Sequence, residues 1–347
     1  FKFLDLTLGQ GADTLYTAST IVVPEADPTA TTHVAHVRIN AYKGADQVNV
    51  GKLMATTDLS GGEGDDILRV NYAQDGVSQT FADGVDFLTL HGNAGSDKYL
   101  VGLSGTGSAT ITVDDAGLPA DADTLDVFGT NNADFFLFRP HAITSLQTDA
   151  DRQPIAGGTV ERVNYGLNGQ PVNGGVTVYG REGDDTFVLD DTSSALTLYG
   201  DAGADRFQVG QVFKSPRDAY AGLLPQDYVD TTPVTLGYLT PGVHFAATLF
   251  GGIGNDSFTV YSNKADLFLF GEEDDDTFRI RAFVAVNPDD PNAPITNVNG
   301  GTGADFITYT VNAPVHIEGG DGFDTLTVVG TEFADKFVVT DQGVFGA

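Results

Sequence analysis

Gly61-Gly62-Glu63-Gly64-Asp65-Asp66-Ile67-Leu68 returns as Gly180-Arg181-Glu182-Gly183-Asp184-Asp185-Thr186-Phe187, and again as Gly251-Gly252-Ile253-Gly254-Asn255-Asp256-Ser257-Phe258. Further copies begin at Gly92, Gly200, Gly271, Gly300 and Gly319, and looser ones at Gly129 and Gly330. Counted from the first Gly, the sixth position is always Asp: Asp66, Asp97, Asp134, Asp185, Asp205, Asp256, Asp276, Asp305, Asp324 and Asp335. The eighth is always large and apolar, from Leu68 and Tyr99 to Phe337. Leu, Val or Ile stands two residues before each first Gly.

Apolar residues alternating on either side of a Gly-rich turn predict strand, turn, strand, with one face of each strand buried. The glycines are expected to supply positive φ in the turn. Gly180 to Gly200 is 20 residues, as is Gly251 to Gly271, and Gly300 to Gly319 is 19. Each interval has the length of one full coil of a solenoid, with copies stacked about 4.8 Å apart. The eighth-position side chains then form a ladder inside. The spacing of 11 between Gly319 and Gly330 suits a half-coil that turns on the opposite edge. A weak copy at 84–88 precedes the Gly92 copy.

The expected fold is all-β, a parallel β-roll or β-solenoid with irregular coils and loop insertions. Asp123-Thr124-Leu125 is echoed by Asp324-Thr325-Leu326, which suggests two modules. We place the first at 1–140, a junction at 141–154 and the second at 155–347, as a continuous stack. Stretches 17–35, 211–245 and 281–297 carry no copy and read as loops or irregular coils. Residues 214–220 are the best candidate for a short helix.

The 347 residues carry 48 acids against 17 bases, a formal charge of −31. Such a surface repels phosphate backbones, so nucleic acid is not an expected partner. With 23 Phe and 12 Tyr the chain is not an acidic disordered one. Cysteine is absent, which removes disulfides, thiolate sites and thiol nucleophiles. No apolar run approaches the length of a membrane span. The chain begins Phe1-Lys2-Phe3, without Met or a signal pattern, and reads as a segment of something longer.

Gly-Gly-x-Gly-x-Asp-x-U-x, with U large and apolar, resembles the nonapeptide of the repeat-in-toxin (hemolysin-type) calcium-binding family. The copies at Gly61, Gly251, Gly300 and Gly319 carry the full Gly-Gly-x-Gly-x-Asp run, and those at Gly92, Gly180 and Gly200 lack only the second Gly. The copies touch most of residues 59–341. Family members string nonapeptides back to back, whereas here each coil is expected to carry the acidic turn on one edge only. In this the chain is more similar to the irregular repeat regions of large bacterial surface proteins.

The resemblance implies Ca²⁺ held by the sixth-position Asp and by turn carbonyls. Ca²⁺ takes six to eight oxygens, and one turn offers about half that set, so turns stacked on one edge must share an ion. The pairs expected are Asp185 with Asp205, Asp256 with Asp276, and Asp305 with Asp324. Asp66 and Asp97 are ligands whose partners the sequence leaves open. The turn glycines that would present carbonyls are Gly61 and Gly64, Gly180 and Gly183, Gly200 and Gly203, Gly251 and Gly254, Gly300 and Gly303, and Gly319 and Gly322. Fifth-position acids such as Asp65, Asp184 and Asp275 add field strength. The competing reading is a metal-free solenoid in which Asp and Gly only build turns. Expected affinities are ~10⁻⁴–10⁻³ M, those of extracellular modules.

No catalytic signature stands out. His33 and His36 lack the Glu of a His-Glu-x-x-His zinc helix and read as an edge pair. There is no Gly-x-Ser-x-Gly elbow and no phosphate-binding loop. The expected function is a calcium-stabilised structural or assembly module of an extracellular bacterial protein, a surface layer or adhesin stalk at the cell surface, and not an enzyme. Its partners would be Ca²⁺ ions, other copies or a cell surface. The alternatives are an adhesive glycan- or cell-binding module using loops 211–245 and 281–297, and a β-helix polysaccharide-modifying enzyme.

Overall fold

The computed structural model describes residues 3–17, 36–51, 55–71, 87–105, 107–114, 117, 121–167, 171–214, 227–281, 294–310, 315–330, 337–340 and 343–346. Strand Val176–Glu182 reads Val-Thr-Val-Tyr, and its residues alternate buried and half-exposed. The turn after it reverses the chain, and Thr186–Leu189 runs back across the core. The next coil repeats this with Leu196–Ala202 and Arg206–Val209. Equivalent strands pair in parallel and in register: Tyr179 lies beside Tyr199, and Phe187 beside Phe207. The 20-residue spacing is one coil.

The chain is a two-sheet parallel β-solenoid, with a larger sheet of 14 strands and a smaller one of 11. Inward residues of both sheets make one continuous apolar core along the stack. Phe136, Phe187, Phe207, Phe258 and Phe278 stack in it at centroid separations of 4.7–5.2 Å. The ladder of eighth-position side chains is therefore present, and Ile307 continues it beside Phe278.

The surplus strands of the larger sheet come from one insertion. Phe135–Arg139, Ala142–Leu146 and Val160–Asn164 form an antiparallel meander. Its outer members pair in parallel with the coils before and after it, at Thr110–Val113 and Thr186–Leu189. Parallel stacking is thus interrupted by one reversed strand.

Residues 211–245 are not wholly irregular. Val212–Phe213, Gly237–Leu239 and Thr232–Val234 make a small antiparallel sheet. Thr296 and Asn297, read as loop, already belong to strand Thr296–Gly303. Most of the candidate helix, the weak copy before Phe87, His33 and Asp335 lie outside the described residues.

Candidate functional site

Among the described residues, the sixth-position aspartates other than Asp134 each accept a backbone N–H from the turn before. The backbone N–H of Asp185 donates to Asp205 Oδ1 at 2.6 Å, and Asp205 to Asp256 and Asp256 to Asp276 each at 2.7 Å. Asp276 donates to Asp305 at 2.9 Å, and Asp305 to Asp324 at 3.1 Å. Asp134 opens this run by donating to Asp185. The expected pairs are neighbours, but they are links of one unbroken ladder rather than separate pairs.

Asp66 and Asp97 belong to a second ladder: Asp13 donates to Asp46, Asp46 to Asp66, Asp66 to Asp97 and Asp97 to Asp123. Asp13, Asp46 and Asp123 escaped the sequence template. Asp13 and Asp46 sit in turns that begin with Leu8 and Ala41 instead of Gly, and Asp123 has none of the template's glycines before it. The signal that could have found them is Asp followed two residues later by Leu15, Val48 and Leu125.

The ladders lie on different edges. In the ladder of Asp66 and Asp97 the acidic turn carries the chain from the larger sheet to the smaller, as at Thr56–Glu63 to Ile67–Val70. In the ladder from Asp134 to Asp324 it carries the chain from smaller to larger, as at Val176–Glu182 to Thr186–Leu189. In a coil of constant hand these crossings are opposite edges. The change happens across strand Thr124–Phe128, which has Asp123 before it and Asp134 after it. That coil has acidic turns at both ends, against the expectation of one edge per coil.

Fifth-position side chains stitch the turns in the opposite direction. Asp65 Oδ1 accepts the N–H of Ser96, Asp184 that of Ala204 and Asp275 that of Ala304, each from the following coil. These acids are structural acceptors. Asp184 also takes the guanidinium of Arg152, which donates to the Ala204 carbonyl at 3.0 Å.

The glycines divide by role. Positive φ falls on the second and fourth positions: Gly252 and Gly254 adopt it, but so do Arg181, Asp201 and Glu272. The first Gly does not adopt it, contrary to expectation. It is required by close approach. A Cβ on Gly251 would lie 2.2 Å from Asp256 Oδ2 and 2.6 Å from the Gly271 carbonyl oxygen. The same collision recurs at Gly61, Gly180, Gly200, Gly271, Gly300 and Gly319. The carboxylate lies against the bare Cα.

Electrostatically these carboxylates are under stress. Asp66, Asp185, Asp205, Asp256, Asp276 and Asp305 are at most 2% exposed, and the Oδ2 of each is buried without a hydrogen-bond partner, as is that of Asp46. Burial pushes Asp185 up to about 9, Asp256 to about 8 and Asp276 to about 7. Asp66 and Asp205 rise to about 6. The ladder hydrogen bond opposes this in each, and neighbouring carboxylates reinforce it. The stack thus asks for positive charge, from protons or from a cation.

A hard cation fits the donor chemistry, since every available atom is a carboxylate or carbonyl oxygen. It would have to draw mainly on carbonyls. Among the described residues no three His, Asp or Glu side chains converge as a metal-holding group. Comparison of the chain with protein-family models and with curated proteins found no match.

Proposed function

We propose that the chain is a structural module of an extracellular bacterial protein, a stalk or surface-layer unit, whose acidic turns are neutralised by Ca²⁺. The observation that supports this is the buried Oδ2 repeated coil after coil without a partner. Asp66, Asp185, Asp205, Asp256, Asp276 and Asp305 would hold the ion together with carbonyls of their own and adjacent turns. The ion would supply the counter-charge that lets neighbouring carboxylates stay ionised. Uptake at free Ca²⁺ of ~10⁻⁴–10⁻³ M would tie folding to extracellular conditions. The continuous core and in-register stack suit a rigid spacer.

The experiment is a Ca²⁺ titration in chelexed buffer at pH 7.5, followed by far-UV circular dichroism with Mg²⁺ as control. Cooperative gain of β signal with Ca²⁺ alone is the expected result. A chain fully folded in chelator and indifferent to Ca²⁺ would overturn the proposal, leaving protonated carboxylates as the ladder's means of neutralisation.

A further inference from the structure

One acid-free face of this protein carries arginines without partners among the described residues. Strands Thr186–Leu189, Arg206–Val209, Ser257–Val260, Thr277–Ile280 and Phe306–Thr310 lie side by side in the larger sheet. None of them contains Asp or Glu, in a chain with 48 acids. Their outward positions carry two exposed arginines, Arg206 and Arg279, among Ser, Thr and Gln, with Val188 and the exposed Phe306. Neither guanidinium makes a hydrogen bond or ion pair with another described residue. Three arginines elsewhere in the fold are committed: Arg139 to Asp190 at 2.8 Å, Arg162 to Asp227 and Arg152 to Asp184.

A cavity of about 330 Å³ opens on this face. Its floor includes Val188, Gln208 and Thr259, and Arg206 lines it. Arg152 and Gln153 overhang it from the loop between Ala142–Leu146 and Val160–Asn164. The volume is at the lower end of small-ligand sites. The lining offers amide and hydroxyl groups that donate and accept, two guanidinium groups that only donate, of which that of Arg152 is committed to Asp184, and the apolar Phe135, Val188 and Phe207.

We infer that this face binds an anionic polysaccharide, with a sugar ring in the cavity and its carboxylate or sulfate on Arg206. The hydroxyl and amide lining matches sugar hydroxyls, and the unpaired guanidinium matches the anion. Arg279 stands two strands further along and two residues down its strand, aligned with Gln208 rather than Arg206, about 12 Å away at the strand and residue spacings. A chain with one anionic group per two sugars meets both arginines. Densely charged polyanions are disfavoured by the −31 charge of the surrounding surface. The stacked rings of Phe128, Tyr179, Tyr199, Phe250 and Phe270 on the other sheet do not serve this purpose. Their planes lie within 13° of one another at 4.9–5.2 Å, so their faces are spent on each other and not open to a sugar.

This inference does not rest on calcium, because the face is made by strands and not by turns. The test is calorimetric titration of the folded 347-residue chain with a hyaluronan hexasaccharide, which carries one carboxylate per two sugars, with maltohexaose and sodium acetate as controls. Saturable binding of the anionic sugar is expected, weakening as salt rises. Arg206→Gln should weaken it at least about tenfold, and Arg206→Gln with Arg279→Gln should abolish it. Both residues are exposed, and an unchanged circular dichroism spectrum identifies the variants as folded. Absence of binding, equal binding of maltohexaose, or binding indifferent to the double variant would overturn the inference. So would self-association of the sugar-free chain, seen by sedimentation velocity and lost in the double variant, since the face would then join copies.

Discussion

The carboxylate of Asp256 accepts the backbone N–H of Asp205, one coil earlier, at 2.7 Å, while its second oxygen lies buried against Gly251. One oxygen therefore does structural work and the other carries the uncompensated charge. Asp256→Asn separates the two. It keeps the acceptor for Asp205 and replaces the charged oxygen with an amide that can donate. In chelator the variant should be as stable as the parent or more so. If Ca²⁺ is bound, it should lose part of the Ca²⁺-induced rise in melting temperature. Asp256→Ala should cost about 1–3 kcal/mol in either condition, because the Asp205 N–H is left buried and unpaired. Thermal denaturation of the three proteins with and without Ca²⁺ gives the answer.

Gly251 and Glu272 make opposite predictions from neighbouring turns. Gly251→Ala drives a Cβ into the Asp256 carboxylate and a backbone carbonyl. It should destabilise by about 1–3 kcal/mol or more. Glu272 holds a φ of 81°, which is unfavourable for a residue with a Cβ. Glu272→Gly relieves that strain, partly offset by a more flexible unfolded chain, and should stabilise by a few tenths to about 1 kcal/mol. Urea denaturation that shows both substitutions destabilising would refute this division of roles.

The same pair explains what the sequence could and could not reveal. The turn template, the strands beside it and the 20-residue coil were legible, because each leaves alternating residues on a fixed face. The reason for the first Gly was not, since close approach depends on a carboxylate five residues along and on the coil above. The change of edge at Thr124–Phe128 was hidden because Asp123 and Asp134 bracket a strand that reads the same in either sheet. Asp46 was missed because Ala41 takes the place of the first Gly, the smallest side chain that position can try. The reversed strand Ala142–Leu146 follows a tight turn at Pro140-His141, which reads in sequence as a break in the repeat and does not fix the direction of the strand after it.

Stability in chelator should fall as pH rises. The folded-state values of Asp185, Asp256 and Asp276, about 9, 8 and 7, stand above the ~3.9 of an unfolded Asp. Between those limits the folded chain holds more protons than the unfolded one, so stability decreases with pH. The contribution is complete below about pH 4 and is lost progressively as pH passes through 7, 8 and 9. Saturating Ca²⁺, by taking over neutralisation, should flatten this slope. Melting temperatures from pH 5 to pH 9 in chelator and in Ca²⁺ test it. A chelator profile that rises with pH would mean the ladder carboxylates are ionised without help.

A second buried charge system fastens the segment after residue 226 to the meander. Arg162 grips both oxygens of Asp227, and Arg139 donates to the Asp227 backbone carbonyl at 2.7 Å while pairing with Asp190. Asp227 is 1% exposed. Arg162→Ala strands its carboxylate in the interior and should cost about 3–5 kcal/mol. Arg162→Gln combined with Asp227→Asn removes both charges together and should recover most of that loss, since the penalty comes from the unpaired charge. If the double variant is as unstable as the single one, the pair contributes attraction beyond its own desolvation. Limited proteolysis gives an independent reading: cleavage near residue 227 should accelerate in Arg162→Ala while the acidic-turn coils stay protected, because the ladder hydrogen bonds do not pass through this pair.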